Sequence, residues 1–271
     1  MSVLSAHLSE KEFRQVSQIV HDICGINLKN GKEALVRARL TKRLRTLRMG
    51  SFGEYLRFVK TDAGRDEIGF LIDAITTNKT SFFREIDHFI FLRDRVIPKM
   101  NTRKMRFWTA ACSSGEEPFS LSMLLQESVP NIDVKDVLIL ATDISVTMLK
   151  RARTATYGEG ALGELPAAYL RKYFIQVGNE RPRTYRVADK ITSKVRLAWL
   201  NLMDTWPMKG PFNVIFCRNA MIYFDRDTQQ TLVRRFWDLL ETGGYLFVGH
   251  SEGLSSLEHK FRYVQPAIYK K

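Results

Sequence analysis

From Met105 onward the chain alternates short apolar runs with helix-patterned stretches, and this alternation restricts its fold more than any other feature. The runs Met105–Ala111, Val137–Ala141, Val195–Leu200, Phe212–Cys217 and Tyr245–Gly249 have strand length and little polar interruption, as strands buried on both faces do. Between them, Glu117–Glu127, Val146–Arg153 and Arg226–Leu240 repeat at helical spacing. Strand and helix in regular succession predict a parallel α/β sheet with helices on its faces. A closing strand pair is expected around Phe261–Tyr263 and Ala267–Tyr269.

Two stretches depart from the pattern. Between Tyr157 and Lys194, the segments Leu170–Val177 and Thr184–Val187 flank a turn signal at Gly178 and Asn179, which predicts an inserted β-rich excursion. From Ser9 to about Gly69 apolar positions recur at helical spacing, broken at Gly25, Gly31, Gly50 and Gly64, which predicts a small helical domain. The organisation expected is therefore an N-terminal helical domain over 1–78, a link over 79–100, and an α/β domain over 101–271 with an insertion around 157–194. At 271 residues and 45% hydrophobic the chain can bury two such cores.

Composition narrows the setting. Glu10, Lys11, Glu12 and Arg14 interrupt the first twenty residues and no run reaches membrane length, so a cytoplasmic location without membrane insertion is expected. Cys24, Cys112 and Cys217 are odd in number and too far apart for a zinc or disulfide pattern, so reduced, buried thiols are expected. His21, His88 and His250 are scattered and are read as structural. No metal is expected, and a monomer is the default state.

The formal charge of +13 implies a polyanionic partner, whether nucleic acid, anionic membrane or acidic protein surface. It concentrates on one helix, where Val36, Leu40, Leu44 and Leu47 form an apolar stripe and Arg37, Arg39, Lys42, Arg43, Arg45 and Arg48 take the other faces. Such a face is either merely solvated or a docking site for acidic partners.

The first strand ends in Ala110-Ala111-Cys112-Ser113-Ser114-Gly115-Glu116-Glu117-Pro118, small residues turning directly into a helix, where backbone can approach a ligand closely. This is not the dinucleotide G-x-G-x-x-G pattern, and two acidic residues at the helix start do not suit a pyrophosphate. A ligand with a cationic end suits the turn, and S-adenosylmethionine fits, its ammonium pairing with Glu117. Ser114 and Glu117 also match a capping box. The next strand ends at Asp143, where a carboxylate can accept from both ribose hydroxyls or cap the following helix.

The sequence resembles the chemotaxis-receptor glutamate methyltransferases, the CheR family, through nearly its whole length. Four motifs carry the resemblance: Thr77-Asn78-Lys79-Thr80-Ser81-Phe82-Phe83-Arg84-Glu85, Ser114-Gly115-Glu116-Glu117-Pro118, Asn201-Leu202, and Cys217-Arg218-Asn219-Ala220-Met221-Ile222-Tyr223-Phe224-Asp225. A weaker fifth is Gly249-His250-Ser251-Glu252. The resemblance implies a class I S-adenosylmethionine-dependent methyltransferase sheet of Rossmann-like type, with a small N-terminal all-helical domain and an inserted antiparallel β subdomain. It implies a cofactor site formed by Asn78, Thr80, Arg84, Glu117, Asp143, Asn201, Leu202, Arg218 and Asn219. It further implies methylation of glutamate carboxylates on the cytoplasmic helical bundle of chemoreceptors, for adaptation in bacterial signal transduction at membrane receptor arrays. The basic helix would then face the methylated region, and in some relatives the β subdomain grips a receptor C-terminal tether peptide.

That chemistry asks little of the protein. A glutamate side chain, with an ordinary pKa of about 4.3, is already a nucleophile at neutral pH, so no general base is required. In-line displacement on a sulfonium methyl needs alignment and partial desolvation. Arg84 is the candidate for holding the acceptor carboxylate, with Tyr223 assisting through its hydroxyl. Arg84 bracing Glu85 or Asp87, and Tyr223 packing under the sheet edge, are the structural alternatives.

Two other functions compete: a nucleic-acid methyltransferase on the same fold, which the charge suits, and a non-catalytic cofactor-binding sensor. The first is expected to carry an Asx-Pro-Pro-aromatic loop or a cysteine nucleophile, where this chain has Arg218-Asn219-Ala220-Met221 preceded by Cys217, which is read as buried. The second would not retain Arg84, Glu117, Asp143 and Asn219.

Overall fold

The computed structural model describes residues 7–29, 31–100, 102–163 and 165–271. Positions 1–6, 30, 101 and 164 of the expected domain spans lie outside the described residues.

The N-terminal segment folds as helices α1 (Glu10–Cys24), α2 (Glu33–Leu47), α3 (Phe52–Val59) and α4 (Glu67–Ile75). Ser9 and Glu12 close a capping box at the start of α1, and Gly25 ends it in the left-handed conformation. The predicted stripe on α2 is real: Val36, Leu40 and Leu44 are buried against Val16, Val20, Tyr55 and Leu71, with Leu47 at the edge. Each fully buried aliphatic side chain contributes roughly 1.5–3 kcal/mol, and Ile144, Tyr223 and Phe224 of the α/β domain pack against the same cluster.

A link led by α5 (Ile86–Phe91) runs into the second core. There follow β1 (Lys104–Ala110), α6 (Glu116–Ser128), β2 (Asp136–Asp143), α7 (Val146–Thr154), β3 (Thr156–Gly158), α8 (Ala167–Tyr173), β4 (Phe174–Val177), β5 (Thr184–Val187), α9 (Asp189–Thr192) and β6 (Val195–Trp199). The chain closes with β7 (Phe212–Cys217), α10 (Arg226–Leu239), β8 (Leu240–Val248), β9 (Arg262–Gln265) and β10 (Ile268–Lys270).

Seven strands form one sheet in the order β6-β2-β1-β7-β8-β10-β9. The first five are mutually parallel and β10 enters antiparallel to both neighbours. Successive residues of a strand face opposite sides. Phe107, Ile139, Phe216 and Phe247 accordingly join one apolar layer, and Trp108, Ile215, Cys217 and Leu246 the other. Strand order reverses between β1 and β7, so the loops leaving their C-terminal ends splay apart and open a crevice there.

The insertion is a separate three-stranded antiparallel sheet, β3-β5-β4. Its sequence reading needs correction: Leu170–Tyr173 is helical, and only Phe174–Val177 is strand. Tyr169 and Tyr173, one helical turn apart, pack ring to ring at 5.6 Å, an i,i+4 contact that alternation along a strand cannot make. The predicted two-residue turn at Gly178-Asn179 is instead a loop over 178–183, and the edge strand β3 had no apolar signature to reveal it.

The helical segment rests on the C-terminal edge of the large sheet. Ile26 and Phe224 form an isolated antiparallel bridge, and Asn27 N–H donates to the Tyr223 carbonyl at 2.7 Å. His21 meets Asp225 at 2.7 Å, and Thr147 Oγ1 donates to Asp73 at 2.5 Å. His21 is therefore a partnered group on this seam rather than a solitary one.

Candidate active site

Between the sheet edge and the N-terminal helices lies a cavity of about 540 Å³, well within the range of small-molecule sites. The sequence motifs converge on it. Asn78, Thr80, Arg84, Glu117, Asp143, Asn201, Leu202, Arg218, Asn219 and Tyr223 all line it.

The floor is the β1–α6 turn. Ala111, Ser113 and Gly115 have positive φ (64°, 50° and 98°), a conformation costly for the two non-glycine residues. Cross-strand bonds hold it: Cys112 N–H to the Thr142 carbonyl at 2.9 Å, Ser113 N–H to Asp143 Oδ2 at 2.7 Å, and Ser113 Oγ to the Asn78 carbonyl at 3.0 Å. At Gly115 a Cβ would come within 2.9–3.1 Å of Phe119, Ala152 and the Tyr157 hydroxyl, so only glycine fits.

The capping box suggested by Ser114 and Glu117 does not form. Gly115 is the N-cap of α6, and Ser114 Oγ donates to Glu116 at 2.7 Å. Glu117 is thereby free to face the cavity, where its Oε2 accepts from Arg218 Nη1 at 3.1 Å. Burial pushes its carboxyl up to about 7, against the pull of Arg218.

Asp143 is 6% exposed. Its Oδ1 accepts from Ser145 N–H at 2.8 Å, opposite the Ser113 bond on Oδ2. Burial raises its pKa, and those two N–H groups lower it. The N-cap of α7 is Ser145, not Asp143. Asp143 thus braces two loops, and each oxygen retains a lone pair for a ligand hydroxyl.

Arg218, 5% exposed at the end of β7, anchors the far wall. Its guanidinium donates from Nε to Glu85 Oε2 at 3.3 Å, from Nη1 to Glu117 and from Nη2 to the Arg84 carbonyl, and Nη2 lies 3.1 Å from Glu85 Oε2 in an ion pair. Two carboxylates and a carbonyl compensate this buried cation. Against the cost of burial, Arg218 and Asn219 hold the Glu85 carboxyl below the usual carboxylate range. Asn219 Nδ2 donates to Glu85 Oε1 at 3.1 Å. The sequence offered Glu85, the end of the first motif, only as a partner for Arg84, whereas its partners are Arg218 and Asn219.

Arg84 lies half-exposed on the rim and donates to the Lys79 carbonyl at 2.8 Å. Among the described residues it pairs with neither Glu85 nor Asp87, and it lines the cavity. Tyr223 lines the cavity, and it packs on the core of the N-terminal helices rather than beneath the sheet edge. Asn201 differs from expectation: its amide donates to the Ile23 carbonyl at 2.7 Å and to Asp204 at 3.2 Å, and its Oδ1 accepts from Met203 N–H. That side chain stitches the β6 turn to α1.

The basic helix divides in two. Arg37, Lys42, Arg45 and Arg48 are exposed. Arg39 instead donates to the Ile75 carbonyl at 2.5 Å, the Thr76 carbonyl at 3.1 Å and Thr77 Oγ1 at 3.0 Å, satisfying the orphaned end of α4. Arg43 grips Glu67 bidentately at 2.8 and 2.7 Å and stacks on Phe70. Both arginines are thus engaged within the helical domain, unlike the other four cations of the face. The sequence also missed Lys29 and Lys32, exposed cations that line the cavity.

His88 and His250 are not scattered. Their rings meet at 4.9 Å beside Glu85, and ligand-type atoms of the three lie within 4.8 Å of one another. Burial first, then Arg218, pushes the His88 imidazole down to about 3. Glu85 spends its oxygens on Arg218 and Asn219, and the adjacent guanidinium opposes a second cation. Cys24, Cys112 and Cys217 are buried free thiols, as expected. Among the described residues no helix is long and apolar enough to cross a membrane.

The donor set fits S-adenosylmethionine: an anion for the ammonium at Glu117, a cation for the carboxylate at Arg218, and an acceptor for a ribose diol at Asp143. Comparison with known proteins agrees. Residues 78–269 match the family described as CheR methyltransferase, SAM binding domain, and residues 11–76 match its all-alpha domain. A probable chemotaxis protein methyltransferase of Rhizobium etli is 39% identical over 93% of this chain and 96% of its own. Chemotaxis protein methyltransferases of Borreliella burgdorferi (37%, 99% of this chain, 96% of theirs) and Escherichia coli (38%, 97% and 91%) are similar throughout.

Proposed function

Because this chain belongs to the CheR methyltransferase family, we propose that it methylates glutamate carboxylates on chemoreceptors. It is an S-adenosylmethionine-dependent methyltransferase of chemotaxis. The observation that carries the finer reading is the convergence, on one cavity, of Glu117, Asp143 and Arg218 with Arg84 and Tyr223 on its rim.

S-adenosylmethionine supplies an electrophilic methyl group on a sulfonium. Glu117 and Arg218 hold the opposite charges of an amino acid end, and Asp143 orients a ribose. Asn78, Thr80, Asn201, Leu202 and Asn219 complete the wall, Asn201 by bracing the turn. Arg84 binds the acceptor carboxylate through its free guanidinium N–H groups and keeps one oxygen lone pair directed inward. Tyr223 donates from its hydroxyl to the same carboxylate. Neither residue removes a proton, since the acceptor is ionised already. Their work is alignment, the largest lever on such a displacement.

The cationic face of Arg37, Lys42, Arg45 and Arg48 steers an acidic helical bundle toward the mouth. In this reading residues 1–78 recognise substrate, 79–100 contribute to the active site, and 101–271 bind the cofactor. The insertion around 157–194 is the place for a receptor tether peptide, which raises local concentration. The enzyme works as a cytoplasmic monomer recruited to membrane receptor arrays.

The test is transfer of labelled methyl to receptor-containing membranes, followed by mild alkali. Label released as methanol supports a carboxyl ester on protein. Alkali-stable label, or label in RNA, overturns the substrate assignment.

A further inference from the structure

Glu252 is a buried carboxylate, 7% exposed, in the turn after β8, and the chemistry above gives it nothing to do. Among the described residues no cation pairs with it. All its compensation comes from main-chain N–H groups. Oε2 accepts from Asn219 at 2.6 Å and from Gly249 at 2.6 Å, and Oε1 accepts from Ile222 at 3.0 Å.

Two of those donors belong to the loop that leaves β7, and the loop carries three residues of the site. Arg218 precedes it, Asn219 sits in it at φ 58°, and Tyr223 ends its short 3₁₀ turn. Asparagine tolerates this left-handed conformation better than other side-chain-bearing residues, and the bonds around it hold it there. Gln229 holds the opposite side, its Nε2 donating to the carbonyls of Met221 at 2.8 Å and Phe224 at 3.2 Å. Gly249 completes the arrangement, because a Cβ there would stand 2.6 Å from both Glu252 Oε2 and Asn219 Nδ2. Glycine at this position is what lets the carboxylate reach across from β8 to the β7 loop.

We infer that Glu252 is a positioning residue for methyl transfer: its carboxylate clamps the Asn219–Ile222 main chain and so sets the places of Asn219 and Tyr223 in the cavity. The inference rests on the reading that Asn219 and Tyr223 serve the site. An anion is required because all three facing groups are donors. A glutamine offers one acceptor oxygen and turns an NH₂ toward N–H on the other side.

The experiment uses the full chain with receptor membranes. Glu252→Gln is expected to lower kcat about 10–100-fold, the scale of an ångström-sized misplacement, while KM for receptor, which docks on α2, stays within twofold. Combined with Tyr223→Phe, the losses should multiply only in part, since the share of the Glu252→Gln loss that acts through Tyr223 is already gone and only the share through Asn219 remains. Should Glu252→Gln fail to fold, Glu252→Asp, which keeps the charge but withdraws it by one methylene, carries the same expected loss of kcat. Parental kcat in a folded Glu252 variant, or losses that multiply in full in the double variant, overturns the inference. Should Tyr223→Phe and Asp143→Ala alone match the parent, the site reading falls and the inference with it. With those two impaired and Glu252→Gln indifferent, the inference alone falls.

Discussion

Arg218 and Glu117 meet at 3.1 Å inside the cavity, a full positive charge against a carboxyl whose pKa burial has raised to about 7. Glu85 shares the same guanidinium at 3.1 Å. The site is therefore poised, with one acid half-titrated near neutrality and ready to ionise fully when a cation arrives.

That poise makes cofactor affinity depend on pH. A ligand ammonium binds ionised Glu117, so binding should strengthen as pH rises from 6 to 8 and release less than one proton per site at the top of that range. For stability the sign is opposite. A carboxyl raised from its unfolded value binds protons more tightly in the folded state, so its contribution falls as pH climbs from about 4.5 to about 7. Calorimetric titration of S-adenosylmethionine at several pH values, with Glu117→Gln as control, checks the first part; the variant should show weak, flat binding.

Asp143→Ala should abolish cofactor binding, whereas Arg48→Ala should leave it intact and raise KM for receptor. The alanine also strands the buried N–H groups of Ser113 and Ser145, at about 1–3 kcal/mol each, so denaturation must be followed alongside binding. Normal affinity in folded Asp143→Ala would disprove the pocket.

Arginines of α2 should separate by consequence. Arg43→Ala leaves Glu67, 5% exposed at its side chain, without its cation, and should cost on the order of 3 kcal/mol in urea unfolding. Arg37→Ala, Lys42→Ala and Arg45→Ala should each change stability by less than about 0.5 kcal/mol and weaken receptor methylation more at low salt than at high salt.

Gly115→Ala should perturb the turn beneath the cofactor, because the added methyl meets Phe119, Ala152 and Tyr157 at 2.9–3.1 Å and φ is 98°. A loss of at least about 1–2 kcal/mol is expected in thermal unfolding. Cofactor affinity should fall with it.

The sequence by itself determined what is local. Strand and helix periodicity gave the α/β layers, and apolar spacing gave the α2 stripe that packs as Val36, Leu40 and Leu44. Small residues after β1 marked the turn that floors the cavity, and a helix-start carboxylate at Glu117 and a strand-end one at Asp143 marked two of the residues that line it. Each of these signals lies within a few residues of chain, where backbone geometry alone fixes who faces what.

The tertiary structure decided every pairing that spans the chain. Arg43 was one cation among six until Glu67 folded against it, 24 residues away. Glu85 gained its partner only when Arg218 arrived from 133 residues downstream, and Asn201 lost its freedom to Ile23 across 178. Leu170–Tyr173 read as strand until Tyr169 and Tyr173 met ring to ring across a helical turn. A charged side chain carries the same letter whether it is solvated, paired or clamping a loop. Which of these it does depends on the burial and the partner that packing brings to it, and neither leaves a periodic trace in the sequence.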